Sequence, residues 1–416
     1  MESIKIYSRI LTCTFFLCQI VIMFTWSSDL KLGIPLAFWW ILYSAALYAM
    51  IRLKPISYKI PIVNVWMAYI VFNVFLAVFF YAEIYWDYKK LIQNFFVYSL
   101  PIGVYCYAQP KIISNVLRFW YKYSIILIII ILPLVDNSWY GRLLVPYTFL
   151  ALFFHYIPFK NKVITVSVLL FLFIFSITAR ADILRFSTSF IIGLTFYGSL
   201  FKVNNFFLLK RIRQVLLYSP FVFFLLGASG TFNILNIQEE LGLEDLVSTA
   251  NKNGTEESLY ADSRTFLYQE CFYSSIKYNH VLLGRSMSRG YETLFFAGAD
   301  QNLQDDNRGY ERYDSEVGVL NIYTYFGIVG VILYFMLFLY STKKAIYNSN
   351  NIFIKIVGVY VCFKWSFSWL EEYSMYEINQ ILLWMMIAMC FSPSFRNMNN
   401  DDFINWLKSL CGLRKK

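Results

Sequence analysis

The fold class is decided by stretches such as VGVLNIYTYFGIVGVILYFMLFLYST, residues 317–342, which contains no Asp, Glu, Lys, Arg or His. A helix needs about 20 mainly apolar residues to cross the hydrocarbon core of a bilayer, and comparable runs recur along almost the whole chain. Composition agrees, because 58% of the residues are hydrophobic and only 15% are charged, far from the averages of soluble proteins. The sequence therefore predicts an all-α polytopic membrane protein.

The apolar runs and the polar connections between them predict about twelve transmembrane helices. They lie near residues 9–26, 33–51, 62–82, 91–108, 123–135, 142–159, 163–178, 183–201, 215–228, 317–342, 353–370 and 376–393. Nine of them form a membrane domain over residues 1–228, and three form a second one over residues 317–393. Trp and Tyr residues cluster at the predicted helix ends, as they do at membrane–water interfaces.

Between the two membrane domains lies a long polar interval, residues 229–316. It holds 15 acidic and 7 basic residues. A segment of this polarity cannot lie in hydrocarbon, where each unsatisfied polar group costs roughly several kcal/mol. We therefore expect it to form one large loop outside the membrane.

The distribution of charge predicts the orientation. Every second connection between the predicted helices contains basic residues and no acidic ones, and the connections between them are mainly acidic. The basic connections contain Arg52/Lys54/Lys59, Lys111/Arg118/Lys122, Lys160/Lys162, Lys202/Lys210/Arg211/Arg213 and Lys343/Lys344/Lys355. Cytoplasmic connections carry the excess of Lys and Arg, so both termini are expected in the cytoplasm and the loop outside. This pattern also explains the net charge of +10 without a nucleic-acid partner.

The tail, residues 394–416, shows helical spacing of apolar residues opposite cations. Its apolar positions are Phe403, Trp406, Leu407, Leu410 and Leu413. The pattern predicts a cytoplasmic amphipathic helix lying on an anionic leaflet, with binding to a partner protein as the alternative.

The first group of candidate site residues lies in SITARADILR, residues 176–185. The predicted topology puts Arg180 and Arg185 near the outer membrane–water boundary. A guanidinium stays charged and offers a planar fork to phosphate. The alternative is that these side chains reach lipid head groups, with Asp182 as a local partner.

The second group lies in the loop. Asp262 or Ser263 is a natural N-cap for a predicted helix over residues 264–272, which puts the cation Arg264 at a helix start that already favours anions. Arg285 and Arg289 follow in a turn, RSMSRG. An anionic ligand would explain these cations, and so would a solvated basic patch in an acidic loop.

Carboxylates mark the point where the loop re-enters the membrane. Asp314 and Glu316 immediately precede the apolar run. A carboxylate at the mouth of a low-dielectric cavity can act as a base, although acidic residues are also favoured at a helix N-terminus. Lys364, near Glu371 and Glu372, either lines the same cavity or extends outward.

The order of these motifs resembles that in O-antigen and capsular polysaccharide repeat-unit polymerases and the related O-antigen ligases. The resemblance covers residues 175–334. It rests on the Thr178-x-Arg180 turn, the Ser263-Arg264 helix start, the Leu282-Leu283-Gly284 turn and the Tyr325-Phe326-Gly327-Ile328-x-Gly330 helix.

The resemblance implies a membrane glycosyltransferase of the type C class in a bacterial cytoplasmic (inner) membrane. Its substrates would be undecaprenyl-diphosphate-linked oligosaccharides. Arg180 and Arg264 match the family's turn and loop arginines and would clamp the diphosphate, with Arg185, Arg285 and Arg289 as further candidates. A chain-length regulator and a flippase would be its partners.

The catalytic base is expected to be Glu316, on position and acidity. Ligases of this family carry a His near the end of the loop, where this chain has Asp314-Ser315-Glu316, so His280 lies too early. With two histidines far apart and no nucleotide-sugar motif, we expect no metal and no cofactor.

Three alternatives remain open at this point. A ligase would share the fold and donor but transfer finished polymer to a lipid A-core acceptor. A lipid-linked oligosaccharide flippase or other transporter would belong to a different class, in which internal repeats and interrupted helices are typical. A non-catalytic scaffold of an assembly complex is the third.

Overall fold

The computed structural model describes residues 2–26, 36–53, 59–131, 134–136, 139–175, 180–195, 206–229, 248–250, 256–258, 264–293, 304–305, 309–372 and 374–412. The helices are α1 (Glu2–Trp26), α2 (Leu36–Arg52), α3 (Pro61–Leu76), α4 (Tyr85–Tyr98), α5 (Gly103–Tyr107), α6 (Pro110–Ile131), α7 (Tyr140–Leu144), α8 (Pro146–Leu152), α9 (Phe159–Phe175), α10 (Arg180–Thr195), α11 (Phe206–Ala228), α12 (Thr265–Lys277), α13 (Gly318–Tyr347), α14 (Ile352–Phe367), α15 (Ile378–Phe391), α16 (Pro393–Arg396) and α17 (Asn400–Leu410). A π-helical turn, Ala77–Tyr81, extends α3, and a 3₁₀ turn, Leu100–Ile102, joins α4 to α5. The strands are β1 (Ser248–Ala250), β2 (Glu256–Ser258), β3 (Tyr291–Glu292), β4 (Gln304–Asp305) and β5 (Gly309–Arg312).

The protein is predominantly helical, and several helices have the length and composition of membrane spans. Among the described residues, four helical stretches are long and apolar enough to cross a membrane, namely Ile4–Thr25, Pro61–Tyr81, Pro110–Ile131 and Gly318–Tyr347. Ile378–Phe391 is a shorter apolar helix, and all of its side chains are buried. The predicted class of helical membrane protein is confirmed in this form.

Several predicted element boundaries are wrong. Lys210, Arg211 and Arg213, expected in a connection, lie within α11, and the span predicted over residues 91–108 is divided between α4 and α5. The connection expected around Lys111, Arg118 and Lys122 is the first half of α6, one continuous helix. Proline at its first position, Pro110, suits a helix start, and neither Gly nor Pro follows before the helix ends. The single span predicted over residues 142–159 is instead divided between α7 and α8, because Pro146 has no N–H for the helical ladder.

Helices α14 and α15 define two ends of the molecule. At one end, which we call the tail end because α17 packs there, the Asn351 side chain donates to the carbonyls of Phe395 and Met398, both at 3.0 Å. The other end lies where α14 stops and α15 begins; we call it the loop end, since the start of α13 docks there through Val319 N–H and the Ser368 carbonyl, 3.0 Å apart. At 1.5 Å per residue, α14 separates the two ends by about 24 Å.

The tail helix α17 is amphipathic as predicted, but its apolar face packs on the protein. Phe403 and Leu407 are fully buried, and the Phe403 ring stacks on Phe353 with centroids 4.8 Å apart. The indole of Trp406 donates to the Pro110 carbonyl at 3.2 Å. The protein therefore covers a face that the sequence assigned to lipid; Leu413 lies outside the described residues.

The described part of the polar interval contains helix α12 and short antiparallel strands. The predicted helix is present as α12, which begins directly after Arg264; the proposed caps Asp262 and Ser263 lie outside the described residues. Strand β5 pairs with both β3 and β4, and Tyr291 is opposite Arg312. Alternate side chains of β5 point to opposite faces. Glu311 therefore contacts Arg289, whereas Arg312 contacts Glu316.

Helix α13 is broken at Gly327, and the loop fills the break. Gly327 has φ +62°, a conformation that suits glycine. The N–H groups of Ile328 and Val329 donate to the carbonyls of Val281 and Leu282 at 2.9 and 3.2 Å. A Cβ at Gly327 would overlap the Leu282 carbonyl. The Leu-Leu-Gly turn and the Tyr-Phe-Gly-Ile motif thus form one interlocked unit.

Side chains of α3 bind the carbonyls released by the same break. Asn73 donates to the Tyr325 carbonyl at 2.9 Å, and the Tyr69 hydroxyl donates to the Phe326 carbonyl at 2.8 Å. Backbone polar groups cannot remain unsatisfied at membrane depth. The interruption is therefore a fully bonded junction of α3, α13 and the loop.

Candidate functional site

Buried charged side chains meet at the loop end around Glu372. Lys364, in the last turn of α14, places its Nζ 2.6 and 2.7 Å from the two carboxylate oxygens of Glu372. The amide of Asn379 donates to the same carboxylate at 2.6 Å. The side chains of Lys364 and Glu372 are only 3% and 4% exposed, so Lys364 lies inside the protein rather than extending outward.

Helix α10 brings Arg185 to the same group. Its guanidinium makes an ion pair with Asp182 one turn earlier, and its Nε lies 3.7 Å from Glu372. The pairing with Asp182 that the sequence left open is present. We call Asp182, Arg185, Lys364, Glu372 and Asn379 the Glu372 cluster.

A close helix approach makes room for this cluster. A Cβ at Gly141, in α7, would overlap the Asp182 carboxylate. The next residue, Arg142, lies 3.5 Å from Glu377, which immediately precedes α15. Glycine in α7 therefore lets α10 bring its acidic first turn against the cluster.

Glu372 has an unusual backbone as well as an unusual environment. Its φ of +153° falls in a region rarely adopted by residues with a side chain, at a cost of about 1–3 kcal/mol. Burial opposes its charge, but Lys364 and Arg185 outweigh that effect and lower the pKa of the carboxyl. Such strain is typical of functional sites.

The Arg264–Glu371 pair lies at the rim of the Glu372 cluster. Arg264 Nη2 is 3.0 Å from the Glu371 carboxylate, and the two side chains are 29% and 32% exposed. Burial raises the pKa of the Glu371 carboxyl, with Arg264 acting in the opposite direction. The pair thus presents to solvent a guanidinium that could bind an anionic group, together with the carboxylate that holds it in this structure.

Arg285 and Arg289 belong to a second group, the Glu311 cluster. Arg289 binds Glu311 in a bidentate arrangement, with N–O distances of 2.7 to 3.1 Å. Arg285 lies 3.7 Å from the same carboxylate and donates to the Gly290 carbonyl at 3.0 Å. Both arginines are buried, so one loop carboxylate holds the two predicted cations.

His280 lies beside the Glu311 cluster. Its ring is half-buried and contacts Tyr81 and Tyr278 with centroids 5.5 and 6.1 Å away. Burial, with the charges of Arg285 and Arg289, lowers the pKa of His280 to about 4. The imidazole is therefore neutral at physiological pH.

Asp314 anchors the point of re-entry through contacts with α4 and α13. It makes an ion pair with Lys90 of α4 and accepts a hydrogen bond from the Tyr325 hydroxyl at 2.8 Å. Next to it, the Tyr313 hydroxyl donates to Asp87 at 3.0 Å. This network ties α4 to the start of α13.

The remaining predicted residues lie at exposed positions. Arg180 is the first residue of α10 and is exposed; residues 176–179 of its motif lie outside the described residues. The Glu316 side chain is 49% exposed and lies 3.5 Å from Arg312. The carbonyl of Glu316 accepts from Glu372 N–H at 3.1 Å, so this residue adjoins the Glu372 cluster through its backbone.

The structure thus brings Arg185 and Arg264 to one side of the loop end and places Arg285 and Arg289 in a separate cluster. Sequence reasoning missed the participation of Arg142, Glu377 and Asn379. The available signal was their position, because each lies in the last or first turns of an apolar helix, where a polar side chain needs a reason.

An apolar cavity of about 600 Å³ opens beside the Arg264–Glu371 pair. Helices α11, α12 and the end of α14 form its walls, and Thr265 and Leu370, the immediate neighbours of the pair, belong to its lining. Part of its wall is aromatic, because the Phe224 ring contacts both Phe272 and Trp369. The Arg264–Glu371 pair therefore adjoins an apolar cavity through its neighbours in the sequence, while the pair itself is not part of the cavity lining.

Among the described residues, no three His, Cys, Asp or Glu side chains lie close enough together to hold a metal ion. Comparison of the chain with protein-family models, with curated proteins and with solved structures finds no match. The geometry of the loop end is therefore what any functional proposal has to be built on.

Proposed function

We propose that this chain is a membrane glycosyltransferase that polymerises undecaprenyl-diphosphate-linked oligosaccharide repeat units into an O-antigen or a capsular or exopolysaccharide. The observation that carries the proposal is the Arg264–Glu371 pair at the edge of an apolar cavity. A polyprenyl diphosphate consists of a long apolar chain and a charged diphosphate, and this site offers a matching surface to each.

Arg264 is the residue that we assign to the diphosphate. Its side chain is 29% exposed at the rim, and guanidinium binds phosphate oxygens in a planar, charge-assisted geometry. A diphosphate would compete with Glu371 for Arg264. Arg180, exposed at the start of α10, is the second candidate for the clamp.

The other three candidate arginines receive a supporting role. Arg185 is held by Asp182 and Glu372, while Arg285 and Arg289 are held by Glu311. Arg185 would keep its charge and position when substrate binds, and would stabilise the negative charge that grows on the leaving diphosphate. Fixed charge of this kind is commonly the largest catalytic contribution. Arg285 and Arg289 lie in the separate Glu311 cluster and would hold the loop in place.

The reaction would occur at the donor's anomeric carbon. A hydroxyl of the incoming repeat unit attacks that carbon, the new glycosidic C–O bond forms, and the bond from carbon to the diphosphate oxygen breaks. Undecaprenyl diphosphate leaves with the bonding electron pair, and the hydroxyl proton passes to a base. No nucleotide sugar and no redox partner enter this balance.

Two carboxylates are candidates for that base. Glu316 was proposed from its position before α13, but its side chain is half exposed beside Arg312. Glu371 is partly exposed, and burial raises the pKa of its carboxyl while Arg264 acts in the opposite direction. We propose Glu371 first and keep Glu316 as the second candidate.

The finer topology is also part of the proposal. We infer about twelve membrane passes, with both termini in the cytoplasm of a bacterium and the loop end facing outward. The segregation of charge supports it, because Arg396, Lys344 and Arg213 lie near the tail end, in contact with Asn348 or with the last turns of α13. Cations in excess are expected on the cytoplasmic side.

One observation favours a transporter, namely the interrupted helix α13. Transporters build substrate sites from the free backbone groups of such breaks. Here the loop and α3 already bind the groups on both sides of Gly327. The break thus offers no open site, and the glycosyltransferase proposal is favoured.

The test is the profile of surface glycans from a deletion strain complemented with wild type, Arg264→Ala or Lys277→Ala. Lys277 is the control, since it is an exposed cation at the opposite end of α12 and pairs with Glu292. The proposal predicts a polymer ladder with wild type and with the control, and single repeat units with Arg264→Ala.

Other patterns identify the rivals. Long polymer that stays on undecaprenyl diphosphate would mean a ligase. Single lipid-linked units trapped on the cytoplasmic leaflet would mean a flippase. A normal ladder with Arg264→Ala would remove Arg264 from the clamp and take away the main support for the proposal.

A further inference from the structure

A basic crevice lies at the tail end, far from the Glu372 cluster. It has a volume of about 600 Å³ between α1 and α6 and is lined by five cationic residues: Lys5, Arg9, Lys111, Arg118 and Lys122. All five are exposed. Its floor is polar, because the Asn115 amide donates to the Ser8 hydroxyl at 2.9 Å. The proposed function makes no use of this crevice.

The described carboxylates do not neutralise these cations. None of the five makes an ion pair with a described Asp or Glu residue; Arg118 instead donates to the Ser409 carbonyl of α17 at 2.9 Å. Lys5 and Arg9, like Arg118 and Lys122, are four residues apart on one helix, where like charges repel. An anion in the crevice would relieve both repulsions at once.

The order of residues along the two helices indicates what kind of anion fits. On α1 the ridge that carries Lys5 and Arg9 continues, at intervals of four residues, to Cys13 and Leu17, both exposed. On α6 the ridge of Arg118 and Lys122 continues to Ile126 and Ile129, also exposed. Each ridge therefore changes from cations at the tail end to exposed apolar side chains further along.

The same order occurs in a membrane lipid, whose charged head group is followed by apolar chains. A soluble phosphate would contact only the cations of each ridge. A nucleic acid would likewise leave the exposed apolar side chains without a partner. Both helices also have the length and composition of membrane spans, so the apolar parts of the ridges are surfaces for lipid chains. Basic pockets between spans are suited to anionic head groups.

We propose that the crevice binds the head group of an anionic glycerophospholipid. Its phosphate would lie between Arg9 and Arg118, with Lys5, Lys111 and Lys122 around it, and its acyl chains would follow Leu17 and Ile126. Five cations exceed the charge of one phosphate, so a lipid with two phosphates, such as cardiolipin, binds more tightly than one with a single phosphate. The lipid joins α1 to α6 and, through Arg118, to the tail helix.

The test is lipid binding by the purified full-length protein in detergent, measured by native mass spectrometry and by the shift of its thermal unfolding midpoint. The probes are cardiolipin, phosphatidylcholine and inorganic phosphate. The double variant Arg9→Gln/Arg118→Gln removes two crevice cations. The control Lys343→Gln/Lys344→Gln removes two exposed cations elsewhere at the tail end.

We expect cardiolipin to bind and stabilise the wild type and the control, with roughly 30-fold weaker binding to the crevice variant. Phosphatidylcholine and inorganic phosphate should give no shift. Equal cardiolipin binding by the crevice variant would overturn the proposal, and so would an equal shift with inorganic phosphate, which would mean a site for small anions.

A second variant guards against misfolding. If Arg9→Gln/Arg118→Gln does not fold, Lys5→Gln/Lys122→Gln removes two exposed rim cations that make no described hydrogen bond to the protein. Its cardiolipin binding should also weaken, and unchanged binding in this variant would count against the site. Because α1 and α6 contribute nothing to the Arg264–Glu371 pair, neither result depends on the proposed glycosyltransferase activity.

Discussion

Replacing Lys364 by methionine removes the cation closest to Glu372 while keeping a side chain of similar length. The Glu372 carboxylate would then retain the Asn379 amide at 2.6 Å, the Gln380 amide at 3.4 Å and Arg185 at 3.7 Å. Breaking a buried ion pair by removing one partner costs about 3–5 kcal/mol, because a charge is left without its counter-ion. Since these three partners remain, we expect the lower end, about 3 kcal/mol.

The double variant Lys364→Met/Glu372→Gln separates the ion pair from simple packing. With both charges gone, the desolvation cost of the stranded carboxylate disappears, so the double variant should be more stable than Lys364→Met alone. The coupling energy between the two positions should be about 2 kcal/mol, within the range found for residues in direct contact.

Unfolding in mixed micelles of increasing denaturing detergent provides the assay, with the fluorescence of the 11 tryptophans as the readout. Lys344→Met, an exposed lysine near the end of α13, is the matched control and should change stability by less than about 0.5 kcal/mol. If Lys364→Met costs no more than the control, Lys364 and Glu372 are not a buried pair and the Glu372 cluster is wrongly described.

Three other changes give predictions of their own. Gly327→Ala should destabilise the protein by more than about 1 kcal/mol, because a left-handed backbone disfavours Ala and its Cβ would overlap the Leu282 carbonyl; Gly412→Ala, at φ +87° with open space around it, is the control for backbone strain alone. Arg289→Lys should lower the free energy of unfolding by about 1–3 kcal/mol, since lysine cannot reproduce the bidentate contact with Glu311. A loss of stability no larger than that caused by Lys277→Arg would argue that the bidentate contact does not stabilise the protein. The pKa of His280 is lowered to about 4 from an ordinary value of 6.5, so the unfolded chain binds the proton more readily and stability is lost as pH falls from about 6.5 to 4. His280→Gln should be less sensitive to acid over that interval, and an unchanged pH profile would show that another group is responsible.

Elements that depend on local sequence could be predicted. The helix near Arg264 follows from apolar residues at helical spacing; it begins one residue later than predicted, at Thr265, with Arg264 in the N-cap position that was assigned to Asp262 or Ser263. The uncharged run over residues 317–342 likewise lies within the long helix α13. The prediction for α6 was wrong. Lys111, Arg118 and Lys122 are cations of the kind that a cytoplasmic connection carries, and they were assigned to one. The signal for a helix was that neither Gly nor Pro follows Pro110 before the end of α6.

Contacts between distant segments could not be predicted. The Leu282-Leu283-Gly284 turn and the Gly327 helix were each visible, yet nothing local indicates that one supplies the carbonyls that the other needs. Arg285 and Arg289 suggested an anion site, whereas Glu311 of the same loop holds both. Glu316 was chosen for its place in the chain, whereas the proposal of Glu371 rests on its contact with Arg264, which depends on how α12 packs beside the end of α14.

The proposed clamp can be tested most directly in a purified system. Full-length protein in lipid nanodiscs would be given undecaprenyl-diphosphate-linked repeat units, and product length would be read on a gel for wild type, Arg264→Ala and Lys277→Ala. We predict polymer from wild type and Lys277→Ala, with a rate lower by about 10²–10³-fold for Arg264→Ala, the usual effect of removing one group that stabilises transition-state charge. Polymer formation by Arg264→Ala at the wild-type rate, or its absence from wild type, would contradict the account.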